Sequence, residues 1–342
     1  MSDVAGRAFD AVLFLSFGGP EAPDEVMPFL ENVTRGRGVP PERLSEVAQH
    51  YLHFGGVSPI NRLNREMIDA LRGVLAERGR DLPVYFGNRN WHPLLEDTLE
   101  QMYVAGHRRV LVFTTSAWGG YSGSEQYHED LARGLSALAE RVPAAAADPM
   151  LLRKLPQYCT EPAFLDACAD AVRRAVARCA GSQVPPRIVF TAHSVPIRAD
   201  LRYGPVIDGK GLYSRQVGEA VAAVARRVGC AEVDQVWQSR SGPRQVPWLE
   251  PDICDHLESL AGQGIASVVV VPIGFVSDHL EVVWDLDIEA AQLCERLGVQ
   301  LVRAETVGSD PRFVEMIGDL IERYADGGGD LGALGIIAEG AW

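Results

Sequence analysis

The stretch SVVVVPIGFVSDHLEVVWDLDIE, residues 267–289, joins an apolar, β-branched run from Ser267 to Ile273 to an acidic segment with helical spacing. An apolar run of this length, closed by proline and glycine, reads as a strand buried on both faces, and the change of period after it reads as a helix. The same signal recurs outward through the chain. Runs at Phe9–Phe17, Leu82–Asn88, Arg109–Thr115, Arg187–Ala192 and Glu232–Gln238 alternate with helical patterns. Val217, Val221, Val224 and Val228 share one helix face closed by Gly229, a glycine stop of the usual kind. Thr160 and Pro162 open another helix, with Leu165, Cys168, Val172 and Val176 inward; Cys168 there reads as core before ligand. Strands alternating with helices predict βαβ units and parallel sheets, an α/β fold.

The 342 residues suit two domains of ordinary size. Three prolines and an alanine run lie between Arg141 and Tyr158 and divide the strand-helix units into two comparable sets. The expected organisation is an N-terminal α/β lobe over 9–150 and a C-terminal α/β lobe over 151–308. A helix within 309–325 returns to the first lobe, and 326–342 form a flexible tail. With 47% hydrophobic and 23% charged residues the chain has enough apolar surface for a core, and its formal charge of −14 disfavours nucleic acid and anionic lipid as partners. No apolar run approaches the ~20 residues that span a bilayer. Phe9–Phe17 contains Asp10 and lacks the basic start of a signal peptide. The six cysteines form no CxxC pair, so neither a disulfide framework nor a zinc knuckle is indicated and a cytoplasmic location is expected.

Parallel sheets bind ligands beyond the carboxyl ends of their strands. No GxGxxG or GxxxxGK[ST] follows a strand here, which counts against a nucleotide enzyme. The pairs Gly18–Gly19, Gly55–Gly56 and Gly119–Gly120 fit tight loops around a bulky ligand. His193, in RIVFTAHSVP, is delivered to a strand end, where an imidazole can take a proton or ligate a metal; a loop histidine held by hydrogen bonds fits the same position. Glu281, Asp285 and Glu289 recur at i, i+4 and i+8 with no Lys or Arg between Asp278 and Gln292. Like charges so spaced disfavour a helix by about 0.2–0.5 kcal/mol per pair. A solvated face or charges serving a helix N-terminus would tolerate that cost; a cation path, in the company of Asp278 and His279, would use it. Oxygen and imidazole donors without thiolate bind a divalent ion loosely enough to release it.

Six blocks resemble the ferrochelatase family in order: SFGGP at 16–20, TRGR at 34–37, FGGVSP at 54–59, TAHSVP at 191–196, WQSRSGP at 237–243 with PWL at 247–249, and GFVSDHLE at 274–281. The likeness runs from about Asp10 to about Tyr324. It implies two doubly wound, Rossmann-like lobes with a porphyrin cleft between them, and a lyase of haem biosynthesis. That enzyme would insert Fe2+ into a porphyrin with release of two protons. His193 and Glu281 match the family's metal-site pair, expected to face each other across the macrocycle, and Asp285 and Glu289 match the acidic ladder leading outward. Arg35, Ser58 and Tyr127 match porphyrin-lining positions, and the aromatics Phe17 and Tyr51 are candidates for contact with the ring faces, or for core. Phe17 stands where some members carry a ligating tyrosine, so its role becomes apolar packing; Trp118 and Tyr121 are further candidates for ring contact, or for core. Members with a [2Fe–2S] cluster use a cysteine near Cys168 and three in a C-terminal extension; none of the last is present here, so no cofactor beyond substrate iron is expected.

Likeness to the soluble Gram-positive branch implies coproporphyrin III as substrate. Protoporphyrin IX, a related cobalt or nickel chelatase, and a non-catalytic tetrapyrrole carrier are the alternatives. The expected partners are porphyrin and ferrous iron, with transient contact to neighbouring haem-pathway enzymes.

Overall fold

A computed structural model describes residues 7–36, 38–179, 184–242, 245–328 and the backbone of 335–336. The strands are β1 (Ala11–Ser16), β2 (Val84–Asn88), β3 (Arg109–Thr114), β4 (Leu151–Lys154), β5 (Arg187–His193), β6 (Val233–Gln238), β7 (Ser267–Val271), β8 (Gln300–Arg303) and β9 (Gly335–Ile336). They form two sheets, ordered β2-β1-β3-β4-β9 and β6-β5-β7-β8, parallel except where β9 pairs antiparallel with β4. The chain divides into two compact units. One holds the chain up to Ser116, Glu125–Gln157 and Phe313 onward; the other holds Ala117–Ser124 and Tyr158–Arg312.

In the first unit every residue of β1 is buried, as expected of a strand covered by helices on both faces. Leu13, Leu15, Val110 and Val112 pack with Leu95, Leu99, Leu131 and Leu138 on one face. Phe14 meets Phe113 on the other, with ring centroids 5.1 Å apart, and Phe113 meets Phe313 at 6.4 Å. Phe313 begins the buried stripe Phe313, Ile317, Leu320, Ile321 and Tyr324 of the helix Pro311–Ala325. That helix lies close to the helix Ile60–Glu77: a Cβ on Gly318 would sit 2.8 Å from Val74 Cγ1. Arg78 adds ion pairs to Glu315, Asp319 and Glu322.

The second unit repeats the plan. Val189, Val236, Val268 and Val270 pack with Ile253, Leu257, Val282, Leu286 and Leu293 on one face. The helices Pro162–Arg178 and Leu212–Val228 also pack against each other; Gly229, at φ +72°, ends the second of them. Cys168 is core, 5% exposed.

Three expectations are corrected. Residues 151–154 do not begin the second lobe: β4 pairs with β3 from Arg109↔Leu151 to Val112↔Lys154 and completes the first sheet. The chain crosses to the second unit at Gln157 and Tyr158. The tail expected over 326–342 includes β9, which covers the otherwise open edge of β4; residues 329–334 and 337–342 lie outside the described residues, as do Arg37 and Pro243 of the quoted blocks. The acidic segment is not a uniform α-helix. A turn at Leu280–Val283 widens into a π-helix at Trp284–Ala290 before α-helix resumes at Ala291–Leu297.

Candidate active site

In an order such as β6-β5-β7-β8 the chain leaves β5 in opposite directions, and the crevice for a ligand opens where β5 meets β7. His193 is the last residue of β5, paired with Gln238 at the end of β6. The loop after β7 crosses directly over β5. Gly274 N donates to Thr191 O at 3.2 Å, and a Cβ on Gly274 would lie 2.6 Å from Ala192 Cα. Only glycine permits that approach. Trp118 Nε1 pins the loop by donating to Gly274 O at 2.9 Å. The chain beyond therefore returns over the end of β5, and Glu281 Oε1 comes to 3.8 Å from His193 Nε2.

The hydrogen bond from His193 Nδ1 to the Ser194 carbonyl fixes the ring. A carbonyl only accepts, so the proton sits on Nδ1 and the Nε2 lone pair faces Glu281. Burial holds the His193 pKa below its ordinary value, opposed by that hydrogen bond and by the charge of Asp285. Neighbouring His279 is pushed down to about 4, by burial first and then by His193. Burial raises Glu281. Asp285 is raised as well, by burial and then by the charge of Glu281, with hydrogen bonds from Ser239 and Gln238 pulling the other way. The charge of Glu281 thus makes Asp285 harder to ionise.

His193 and Glu281 keep 35% and 43% of their side chains exposed. Glu281 has no hydrogen bond among the described residues beyond its approach to His193. A neutral imidazole with an open lone pair beside a carboxyl that lacks donors can take up protons or hold a divalent ion briefly. Asp285 Oδ2 accepts from Gln238 Nε2 at 3.1 Å and from Ser239 Oγ; Glu289 Oε1 accepts from Trp284 Nε1 at 2.8 Å. Asp285 feels the charges of both Glu281 and Glu289, so the wider turn keeps the three in electrostatic contact.

The expected arrangement of His193 and Glu281 across a macrocycle is corrected. An aromatic plane needs about 3.5–4 Å to the atoms on each of its faces, so groups 3.8 Å apart cannot enclose one. His193 ends β5, and Glu281 lies on the helical turn Leu280–Val283 that follows β7 and its loop.

Phe17, Arg35, Tyr51, Ser58 and Tyr127 lie in the first unit, Trp118 and Tyr121 in the second. Phe17 follows β1, is 36% exposed and meets Phe29 edge-on at 6.3 Å; Tyr51 meets Phe29 at 5.7 Å. Arg35 is exposed and Ser58 buried. Tyr127 is buried beneath the Arg89 guanidinium, 4.4 Å from its ring centroid. Trp118 is core of the second unit, edge-on to Phe164 and Tyr213; Tyr121 stacks on Tyr203 at 6.0 Å. Gln238, Ser239 and Tyr213, whose hydroxyl donates to His193 O at 2.9 Å, carry no role in the sequence reading. The available signal was a polar pair, Gln238–Ser239, directly after the apolar Val236 and Trp237.

A family model described as ferrochelatase matches residues 9–325. The chain belongs to the ferrochelatase family. Among relatives of this ferrochelatase-family chain, the coproporphyrin III ferrochelatase of Nocardia farcinica is 58% identical over 321 residues, covering 94% of this chain and 89% of the relative. That of Mycolicibacterium smegmatis is 56% identical over 94% of this chain and 91% of the relative. Among solved structures, the sirohydrochlorin chelatase SirB of Bacillus subtilis subspecies spizizenii, in complex with cobalt, aligns with a TM-score of 0.51 at 12% identity, over 93% of this chain and 96% of that one. At that identity the likeness concerns the fold, a chelatase fold of two α/β lobes.

Proposed function

We propose that this chain inserts ferrous iron into coproporphyrin III, releasing the two pyrrole protons, with His193 and Glu281 as the residues that handle metal and protons. The observation that carries the reading is the open Nε2 of His193, 3.8 Å from a Glu281 carboxylate without hydrogen-bond donors, at the switch point of a ferrochelatase-family sheet. The names of the relatives at 58% and 56% identity support the choice of porphyrin.

Metal enters a free-base porphyrin only when the ring bends to expose nitrogen lone pairs and both N–H protons leave. Binding energy from the carboxylates and faces of the ring supports that distortion. Arg35, Ser58 and Tyr127 are assigned to the carboxylates and Phe17 and Tyr51 to the ring faces. His193 Nε2 accepts a pyrrole proton, and the depressed pKa of the imidazole keeps it neutral beforehand. Glu281 takes the second proton or holds the ion last, and Asp285 and Glu289 conduct ions between Glu281 and solvent.

The reading includes no [2Fe–2S] cluster. It is supported by a Cys168 thiol that burial pushes up to about 12, away from the thiolate a cluster needs. Six unpaired cysteines support a cytoplasmic setting, and the charge of −14 supports the absence of a nucleic-acid partner. Among the described residues no helix is long and apolar enough to cross a membrane.

The test is anaerobic turnover with ferrous iron and either coproporphyrin III or protoporphyrin IX. Metallated coproporphyrin is expected, with loss of metallation and retention of porphyrin binding in His193→Ala. Faster turnover of protoporphyrin IX would overturn the substrate, binding without metallation would leave a carrier, and full activity in His193→Ala would overturn the site.

A further inference from the structure

The acidic residues around the π-helix fall into two sets. Asp278 and Asp287 are ion-paired to Arg303, at 2.9 and 2.7 Å. Glu281, Asp285 and Glu289 have no Arg or Lys partner among the described residues. Glu289 takes the neutral Trp284 indole, Asp285 takes a neutral amide and hydroxyl, and Glu281 takes no hydrogen bond. A cationic partner would neutralise a carboxylate and compete with an arriving cation; a neutral donor orients it and leaves its charge intact.

The donors to Asp285 are themselves tightly held. Gln238 is fully buried, and Thr191 Oγ1 donates to its Oε1 at 3.1 Å, which turns Nε2 toward Asp285. The Ser194 amide donates to the Gln238 carbonyl at 2.8 Å, so the strand pair that delivers His193 also delivers this amide. Ser239 adopts φ +60°, a left-handed conformation that residues with a Cβ rarely take, and in it the hydroxyl reaches Asp285 Oδ2. Unusual backbone retained beside a functional group is a recurrent mark of sites that need one geometry. Both donors converge on Oδ2. Oδ1 has no donor among the described residues.

We propose that Gln238 and Ser239 are positioning residues that fix Asp285 through one oxygen so that the other receives a divalent cation on its way to Glu281. The proposal rests on the function read above, and it gives Asp285 a fixed place with exposed Glu289 as the outer member of the row.

Two measurements test it in Gln238→Leu, Ser239→Ala, Ser239→Gly and Ser239→Asn. The first is equilibrium binding of Mn2+ alone to the full chain, followed by the signal of free Mn2+. The second is steady-state metallation with separate KM values for iron and porphyrin. Gln238→Leu, Ser239→Ala and Ser239→Gly are expected to weaken Mn2+ binding and raise the iron KM at least fivefold, with the porphyrin KM within twofold of wild type. Ser239→Asn, which tolerates a left-handed backbone and restores a donor, is expected to recover most of both. Recovery in Ser239→Gly instead would mean that backbone conformation alone matters, and would overturn the positioning role. Unchanged Mn2+ affinity in the three donor-deleting variants, or no Mn2+ binding by the wild type, also overturns it, whatever the turnover. Unchanged Mn2+ binding with intact wild-type metallation removes this proposal alone; absent wild-type metallation with the expected Mn2+ losses removes only the assigned reaction.

Discussion

The two sheets share one strand order, β2-β1-β3-β4 and β6-β5-β7-β8, yet their carboxyl ends are finished in opposite ways. In the first unit neutral groups satisfy one another. Ser16 Oγ lies 2.9 Å from Thr115 Oγ1 and accepts from Asn64 Nδ2 at 2.8 Å, while Asn61 takes a hydrogen bond from Asn88 at 3.0 Å and donates to Gly19 O at 3.1 Å. Asn88 Oδ1 alone in that group lacks a donor among the described residues. In the second unit the corresponding end carries an imidazole and two carboxyls with few donors, and burial moves all three pKa values toward the uncharged form. One scaffold thus yields an end whose polar and charged groups are largely paired, with Asn61 also donating to Glu21 Oε2 at 3.2 Å and Arg89 ion-paired to Asp130, and a reactive end kept short of partners. The difference is made by a handful of residues after the strands.

The strongest way to break this contrast is Glu281→Gln. If the reactive end depends on that carboxylate, metallation falls about 10²- to 10⁴-fold, the range of a lost proton-transfer group, while the melting temperature stays level or rises because a desolvated charge has gone. A variant that loses stability and keeps its turnover would make Glu281 structural. Gly274→Ala comes next. The new Cβ would press on Ala192 at 2.6 Å, so we expect about 1–3 kcal/mol of destabilisation together with roughly tenfold slower metallation, read by denaturant titration and initial rates. Equal rates would show that the 3.8 Å approach tolerates adjustment.

Asn61→Leu probes the end of the first sheet. It leaves the Asn88 amide with His92 O alone as acceptor and removes the donor to Gly19 O, which should cost about 1–3 kcal/mol, with the iron KM unchanged; a shift in the iron KM would dissolve the distinction between the two ends. The smallest effect is in pH dependence. Burial raises Asp285, so the folded protein keeps protons that the unfolded chain releases above pH about 4. That contribution is complete below the unfolded pKa and fades as pH rises toward neutrality. His279, at about 4 against 6.5, works in reverse: its contribution is present above 6.5 and is lost as pH falls toward 4. The two trends oppose each other across that window. Asp285→Asn should make melting temperature rise more steeply with pH and His279→Gln less steeply; the opposite order would refute the assigned shifts.

Much of this was legible in the amino-acid order. The long β-branched runs announced six strands, and the strand-end position of His193 and the uncompensated row from Glu281 to Glu289 pointed to chemistry before any resemblance was invoked. Three strands were not legible, the two-residue β9 among them. LLRK at 151–154 and QLVR at 300–303 are four residues long and half polar; a strand that short is fixed by the neighbour it pairs with, β3 or β7, more than by its own composition. Missing the first of them displaced the expected lobe boundary. The π-helix was invisible because i+4 spacing does not distinguish a regular helix from one with a widened turn. The placement of His193 and Glu281 on one side depends on a close backbone crossing at Gly274, which spacing does not encode.

The row from Glu281 to Glu289 has a physical consequence beyond its geometry. With no Arg or Lys partner among the described residues, its negative potential extends into the surrounding electrolyte, where dissolved ions damp it over a Debye length of about 8 Å at physiological salt. Iron capture should therefore slow as ionic strength rises.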